Sequence, residues 1–465
     1  MSGLPSRNTP QDPLSRALDA LPLVPLHYFL IAAVCAGHMF EVIEMVMSSV
    51  FATTFAPQVK AGLIEQSQLA LLLSAGSFGA AIGAPLLGSV ADRLGRRFVL
   101  VLALILVAIC SVAGALSQNI EQLIVTRMIA SLGIGCYVPL AASYLTELVP
   151  ARARGRAVLV NLVIGGVGAT ASSLLTRSFN ELMPFGLDGW RASMLVGALG
   201  SLAVAVSMIW LPESPRWLLA VGRKSAAEAI YRRLARLRPD EAVPDLGRFD
   251  PPAAKAKAVD AAAAGPLWTP QRLRLMAFFV LLSALSPWAL SGFPLLAGVL
   301  FSHRGYDTQF ALLLHSLTVA GVSAGALASM FFVDRFRRDA MMIACGLGTA
   351  LAGVAFIFTE PAAVAATIGM VFTALVAVYF QVQILYCAEL FPPLLRGKAP
   401  AICYGVNRGV SILVPWGLLP LLSFAGEVAV MGLMSGVMAV SAILILLFLR
   451  RGDHDPEIRA AAAPA

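Results

Sequence analysis

The stretch Gly88-Ser-Val-Ala-Asp92-Arg93-Leu-Gly95-Arg96-Arg97 decides how the chain is read. It is a short charged turn between two long apolar runs. Arginines and a tight backbone turn are stable in water and costly in hydrocarbon, where unpaired peptide groups find no partner. The turn therefore marks a place where the chain leaves a membrane between two crossings. An ordinary basic loop accounts for the arginines but not for the spacing of Gly88, Asp92 and Gly95.

Composition supports a membrane protein. Of 465 residues, 58% are hydrophobic and 13% charged, where soluble proteins carry about 25% charged residues. Most of the chain must face lipid or other helices. The net charge of +8 arises from Arg and Lys gathered in loops at one face, and does not point to nucleic acid. Cys35, Cys110, Cys136, Cys345, Cys387 and Cys403 lie in apolar runs without C-x-x-C spacing. They read as small core residues, not as a disulfide framework or metal ligands. No cleavable signal peptide is expected, because the first apolar run is long enough to span and carries carboxylates.

A crossing helix needs about 20 apolar residues. Twelve runs qualify: 26–54, 68–91, 98–118, 121–146, 156–179, 191–211, 273–300, 309–333, 340–359, 362–388, 398–424 and 427–449. Basic residues follow the even-numbered runs: Arg93, Arg96 and Arg97; Arg152, Arg154 and Arg156; Arg335, Arg337 and Arg338; Arg396 and Lys398; Arg450 and Arg451. This asymmetry predicts that both termini are cytoplasmic.

The expected organisation follows. Residues 1–25 form a cytoplasmic segment, polar over 1–12, with a short amphipathic helix at Pro13–Leu21 lying on the membrane surface. Residues 26–211 form one six-helix bundle. Residues 212–272 form a cytoplasmic linker with a basic amphipathic helix around Ala226–Arg238 and a Pro- and Ala-rich stretch from Pro239 to Gly265. Residues 273–449 form a second bundle, and 450–465 a cytoplasmic tail.

The bundles repeat. Tyr144, Glu147, Leu148, Pro150, Arg154 and Gly155 recur as Tyr386, Glu389, Leu390, Pro392, Arg396 and Gly397 at an offset of 242 residues. Asp92, Arg93 and Arg96 recur as Asp334, Arg335 and Arg338 at the same offset.

The G-x-x-x-D-R-x-G-R-R pattern of residues 88–97 resembles the loop between the second and third helices of major facilitator superfamily transporters. Every fixed position is filled. The resemblance implies an all-α membrane protein of twelve transmembrane helices in two six-helix pseudo-repeats, with the substrate near the midplane between them.

Charges inside the membrane need a reason, since each costs ~2.5–3.5 kcal/mol even on lenient scales. The first run carries Glu41 and Glu44, spaced i, i+3 and so on one helix face. Two carboxylates in a low-dielectric site favour holding a proton, as proton coupling requires. The alternative is that one of them neutralises an arginine. Arg127 offers that partner, about two turns from the outer end of the fourth run. Arg127-Met-Ile-Ala-Ser-Leu-Gly133-Ile-Gly135 also resembles the superfamily's helix-4 pattern, which implies a part for Arg127 in proton coupling. An Arg127–glutamate pair that opens on protonation is expected; Glu44 lies at a depth comparable to Arg127, and Glu41, a turn deeper, is favoured for coupling.

Arg408 lies in the eleventh run, ~15 Å from its cytoplasmic end and so near the midplane. Its repeat mate is Gly166. A charge present in one half only points to substrate chemistry, and a guanidinium offers a bidentate fork to a carboxylate. A structural pair with a glutamate of the other half is the alternative. Tyr404, Asn407, Gln383, Asn161, Trp288 and Tyr379 could line the same cavity, Trp288 and Tyr379 being the stacking candidates, although any of them could serve packing instead. Trp288 follows Pro287, where a broken helix could gate. Gln381 and Gln383 cannot both face the cavity. Asp92, Arg93, Arg96, Glu147, Arg154, Asp334, Glu389 and Arg396 are read as a cytoplasmic charge network that latches the halves when the protein opens outward.

Within the superfamily, Pro212-Glu-Ser-Pro-Arg-Trp is similar to sugar porters, but their P-E-T-K-G signature after the last helix is absent. Leu18-Asp-Ala-Leu-Pro22, Phe40-Glu41-x-x-Glu44, Pro139-Leu-Ala-Ala-Ser-Tyr144, Glu389-Leu-Phe-Pro392 and Arg408 followed by Pro415 resemble the bacterial nicotinate (niacin) transporter, SV2-related and organic cation/anion branch. That resemblance implies a proton-coupled importer of a small organic anion such as nicotinate, monomeric, in a bacterial inner membrane, with the proton as coupling ion and no other cofactor or metal. An organic-cation carrier, a proton/drug antiporter and a sugar-type porter are the alternatives within transport. No nucleophile–base cluster or G-x-x-x-x-G-K-[ST] motif points to an enzyme or an ATP-driven pump.

Overall fold

The computed structural model describes residues 13–237, 241, 243–244, 246, 269–333, 335–392, 395 and 397–452. Sixteen α-helices occur among them. The first nine are α1 (Pro13–Asp19), α2 (Pro25–Lys60), α3 (Gln66–Leu94), α4 (Arg96–Ala115), α5 (Ile120–Leu148), α6 (Ala151–Leu182), α7 (Gly189–Met208), α8 (Pro215–Ala220) and α9 (Lys224–Ala235). Then come α10 (Pro270–Leu285), α11 (Pro287–Leu290), α12 (Gly292–His303), α13 (Thr308–Phe332), α14 (Arg338–Ile357), α15 (Ala362–Leu390) and α16 (Lys398–Gly452).

Local chemistry sets the helix ends. Asn119, Thr269 and Asp307 accept hydrogen bonds from main-chain N–H groups at the starts of α5, α10 and α13, satisfying donors that have no partner inside the helix. The α16 run turns back at Gly426, whose φ of 75° favours glycine. Its two limbs are the eleventh and twelfth crossings, so among the described residues eleven long apolar helices make twelve passes. The seventh pass is broken into α10, α11 and α12 around Pro287, which has no N–H to continue the ladder. A break beside Trp288 is what the sequence led us to expect.

The repeat seen in the loops also governs packing inside the membrane. Gly79 and Gly83 of α3 lie against the carbonyls of Met128 and Leu132 on α5, and Gly321 and Gly325 of α13 lie against those of Met370 and Ala374 on α15. All four equivalences carry the 242-residue offset. Without a hydrophobic drive in lipid, close backbone approach at small residues is what binds such helices together.

The halves meet along α6 with α13, α3 with α16, and α2 with α12. Ser173 Oγ lies 2.6 Å from His315 Nδ1, whose Nε2 lies 2.8 Å from the Pro294 carbonyl. Ser74 donates to the Ile412 carbonyl (2.8 Å), and Gln66 to Ser423 (3.0 Å). Thr53 packs on Gly298. These links gather on the side away from the arginine loops. Among the described residues, the ion pairs on the basic side join groups of one half: Arg96 with Asp92 (3.3 Å) and Glu147 (3.5 Å), Arg154 with Asp19 (2.8 Å), and Arg338 with Glu389 (3.2 Å). The space between the halves therefore opens toward the basic face.

Two expectations change. Leu14 and Leu18 of α1 are buried in one apolar cluster with Leu148, Val149 and Leu234, so α1 packs on protein rather than on the membrane surface. Arg154, read as part of the latch, binds Asp19 of α1. The expected linker helix is α9, preceded by the short α8, and most of Pro239–Gly265 lies outside the described residues. So do Asp334 and Arg396.

Candidate substrate and proton site

The two helix-1 carboxylates occupy different surroundings. Arg127 of α5 donates to Glu44 Oε1 through Nη1 at 2.7 Å, and both side chains are buried. Ser48 lies 3.4 Å from Nη2, and the Phe51 ring lies 5.7 Å from the guanidinium carbon. Glu44, the carboxylate at the depth of Arg127, is therefore its partner. Three residues make 300° on a 3.6-residue helix, so the two carboxylates diverge by about 60°, and the position of α5 selects Glu44.

Glu41 is also buried, at 1% exposure. It faces His38 Nε2 at 3.7 Å and feels the charge of Arg408 from the other half. Arg408 is half-buried on α16. Its Nε and Nη2 donate to the Tyr404 hydroxyl at 3.1 and 2.8 Å, and the guanidinium sits 5.1 Å from the Tyr404 ring centre. Its hydrogen-bond partner is thus a neutral phenol on its own helix.

The amide candidates brace the broken seventh pass. Gln383 Nε2 donates to Ser283 (2.8 Å) and Asn407 Nδ2 to Ser286 (2.9 Å). Gln381 turns away and accepts from Ser329 at 3.1 Å, as two residues at i, i+2 must diverge. The Asn161 carbonyl lies 2.8 Å from His38 Nδ1. The Trp288 ring covers Gly417 of α16.

Tyr379 is the clear departure. It is fully buried, with its ring against Gly346 of α14 and its hydroxyl beside Ser441. It fills space behind the cavity wall and is not brought to Arg408. Arg93 is exposed and joins none of the ion pairs above.

Some functional groups were not singled out from the sequence. Glu213 accepts from the main-chain N–H groups of Arg96 and Arg97, each at 3.1 Å, and so caps α4. His38 and His315, buried in crossing helices, gave the available signal, since a polar ring in hydrocarbon needs partners.

A family model described as sugar (and other) transporter matches residues 36–451. The chain belongs to the sugar (and other) transporter family. The protein is therefore a membrane transporter with a small-molecule substrate, and not an enzyme. This transporter is 26% identical over 399 residues to the putative metabolite transport protein YyaJ of Bacillus subtilis (strain 168), covering 84% of this chain and 85% of that one. It is 29% identical over 219 residues to the niacin transporter NiaP of Acinetobacter baylyi, covering 47% and 48%. Its fold is similar to a partially occluded inward-open conformation of the xylose transporter XylE from E. coli, with a TM-score of 0.71 and 20% identity over 92% of this chain and 98% of that one.

Proposed function

We propose that this transporter is a proton-coupled importer of a small organic anion, held through its carboxylate by Arg408. A nicotinate-like aromatic monocarboxylate is the substrate class that fits best. The observation that carries this reading is the half-buried Arg408, whose guanidinium meets a neutral phenol rather than a bound carboxylate. A mid-membrane charge is costly, and a ligand carboxylate offsets that cost through a bidentate fork. The similarity to a niacin transporter supports the same class.

The coupling we propose is a competition. With a proton on Glu41, Arg408 is released to the substrate carboxylate. When Glu41 loses that proton to the cytoplasm, its charge draws Arg408 back and the substrate leaves. Arg127, bound to Glu44, takes no part in this exchange beyond holding α2 to α5. With the basic face cytoplasmic, the arrangement described above is inward-open. A bacterial inner membrane fits the bacterial relatives.

A neutral sugar or polyol is the second reading. It is favoured by the family description and by the amides of Gln383 and Asn407 at the broken seventh pass. Uptake into proteoliposomes under an imposed inward proton gradient separates the two. Labelled nicotinate or benzoate taken up by the wild type and not by Arg408→Gln supports the anion reading. Uptake of xylose or myo-inositol, with the carboxylates excluded, overturns it.

A further inference from the structure

We propose that His38 shares the coupling proton with Glu41, so that the proton site is a carboxylate–imidazole pair rather than a lone carboxylate. This rests on the reading of Glu41 as the coupling residue.

Hydrogen-bond bookkeeping carries the inference. His38 Nδ1 lies 2.8 Å from the main-chain oxygen of Asn161. A carbonyl oxygen only accepts, so Nδ1 bears the hydrogen. In a neutral ring Nε2 is then a bare acceptor, and it faces Glu41 Oε2 at 3.7 Å. With Glu41 ionised, two lone pairs would oppose each other in a site from which water is excluded. One proton, carried on the carboxyl and directed at Nε2, turns that repulsion into attraction. Glu41 Oε2 has no hydrogen-bond partner among the described residues, and His38 Nε2 is the basic atom that faces it.

The ring is held in this aspect. Gly165 of α6 packs directly on it, and a Cβ there would fall 2.5–2.9 Å from three ring atoms. Tyr137 of α5 stacks on it with centroids 6.4 Å apart and planes at 25°. Tyr137 is itself fixed by donating to the Val34 carbonyl at 3.1 Å.

Among the described residues, the other titratable or charged groups around the pair include Cys35 of α2. Cys136 and Tyr137 come from α5, Glu44 from α2 and Arg408 from α16. Glu44 is already bound to Arg127. Arg408 alone stands on the opposite half, so rearrangement of the halves changes the charge beside the pair. Two bases sharing one proton hold it more firmly than either alone. The proton enters from water on the outer side, rests between Oε2 and Nε2, and leaves to water in the cavity at the basic face.

The test is a pH titration of the carboxyl C=O infrared band on the full-length protein in lipid. The wild type should show a titrating band that Glu41→Gln removes. In His38→Asn the amide nitrogen can still serve Asn161 while Nε2 is gone. The Glu41 band should then titrate about one pH unit lower, a tenfold weaker hold on the proton. Gly165→Ala, which displaces the ring without removing it, should move the band the same way and serves if His38→Asn fails to fold. An unchanged midpoint in a folded His38→Asn or Gly165→Ala protein overturns the part given to His38 and leaves Glu41 standing. A wild-type spectrum with no band lost in Glu41→Gln overturns the reading of Glu41 itself.

Discussion

Arg127 Nη1 lies 2.7 Å from Glu44 Oε1, with both side chains buried between α2 and α5. That bond divides the labour of the two helix-1 carboxylates. Glu44 is committed to an arginine of its own half, which leaves Glu41 as the carboxylate exposed to the charge of the other half.

The division predicts opposite phenotypes one helical turn apart. Removing one member of a buried ion pair strands the other and costs ~3–5 kcal/mol. Glu44→Gln and Arg127→Ala should each lower the unfolding temperature markedly in detergent, whatever the substrate. Glu41→Gln should leave that temperature close to the wild type, abolish proton-driven uptake, and spare exchange of substrate across the membrane. A stable Glu44→Gln protein with normal uptake would contradict the assignment.

Gly95 of the opening stretch sits between α3 and α4 at φ 105°, beside the Glu213 carboxylate that caps α4. An alanine there would have to adopt a backbone that costs ~1–3 kcal/mol and would collide with Glu213. Gly95→Ala should therefore reduce the folded yield measured by size-exclusion chromatography. Glu213→Gln, which keeps an acceptor and removes the charge, should do so less.

His315 and Ser173 join the halves on the side away from the arginine loops, and their bond must break for that side to open. A net hydrogen bond is worth ~0.5–1.5 kcal/mol, a ~2- to 12-fold change in a two-state population. Ser173→Ala and His315→Ala should each raise the labelling rate, by a membrane-impermeant maleimide, of a cysteine placed at Thr53, which is buried against Gly298 of the other half. The double variant should add little to the larger single effect. Labelling at the wild-type rate in both single variants would show that this bond does not hold that side shut.

Much of the architecture was legible because it repeats. The charged turns and the Glu-to-Arg-Gly cassettes recur at 242 residues, and that register runs on into the glycine contacts of α3 with α5 and α13 with α15. The break near Pro287 was legible from missing N–H chemistry. The pairing of Arg127 with Glu44 was legible only as a match of depth, because the two carboxylates share a broad face and the placement of α5 settles which one it meets. Tyr379 was misread for a related reason. A tyrosine long enough to reach a cavity is equally able to fill the gap left by Gly346, and sequence spacing does not say which helix stands opposite. The placement of α1 escaped too, since an amphipathic helix buries its apolar face equally well against lipid or protein.

The most direct test of the carboxylate claim is ligand-induced thermal stabilisation of the purified protein by nicotinate, benzoate, choline, xylose and myo-inositol, repeated on Arg408→Gln. The account predicts stabilisation by a carboxylate in the wild type and its loss in the folded variant. Stabilisation by choline or by a sugar, undiminished in Arg408→Gln and with no response to carboxylates, would contradict it.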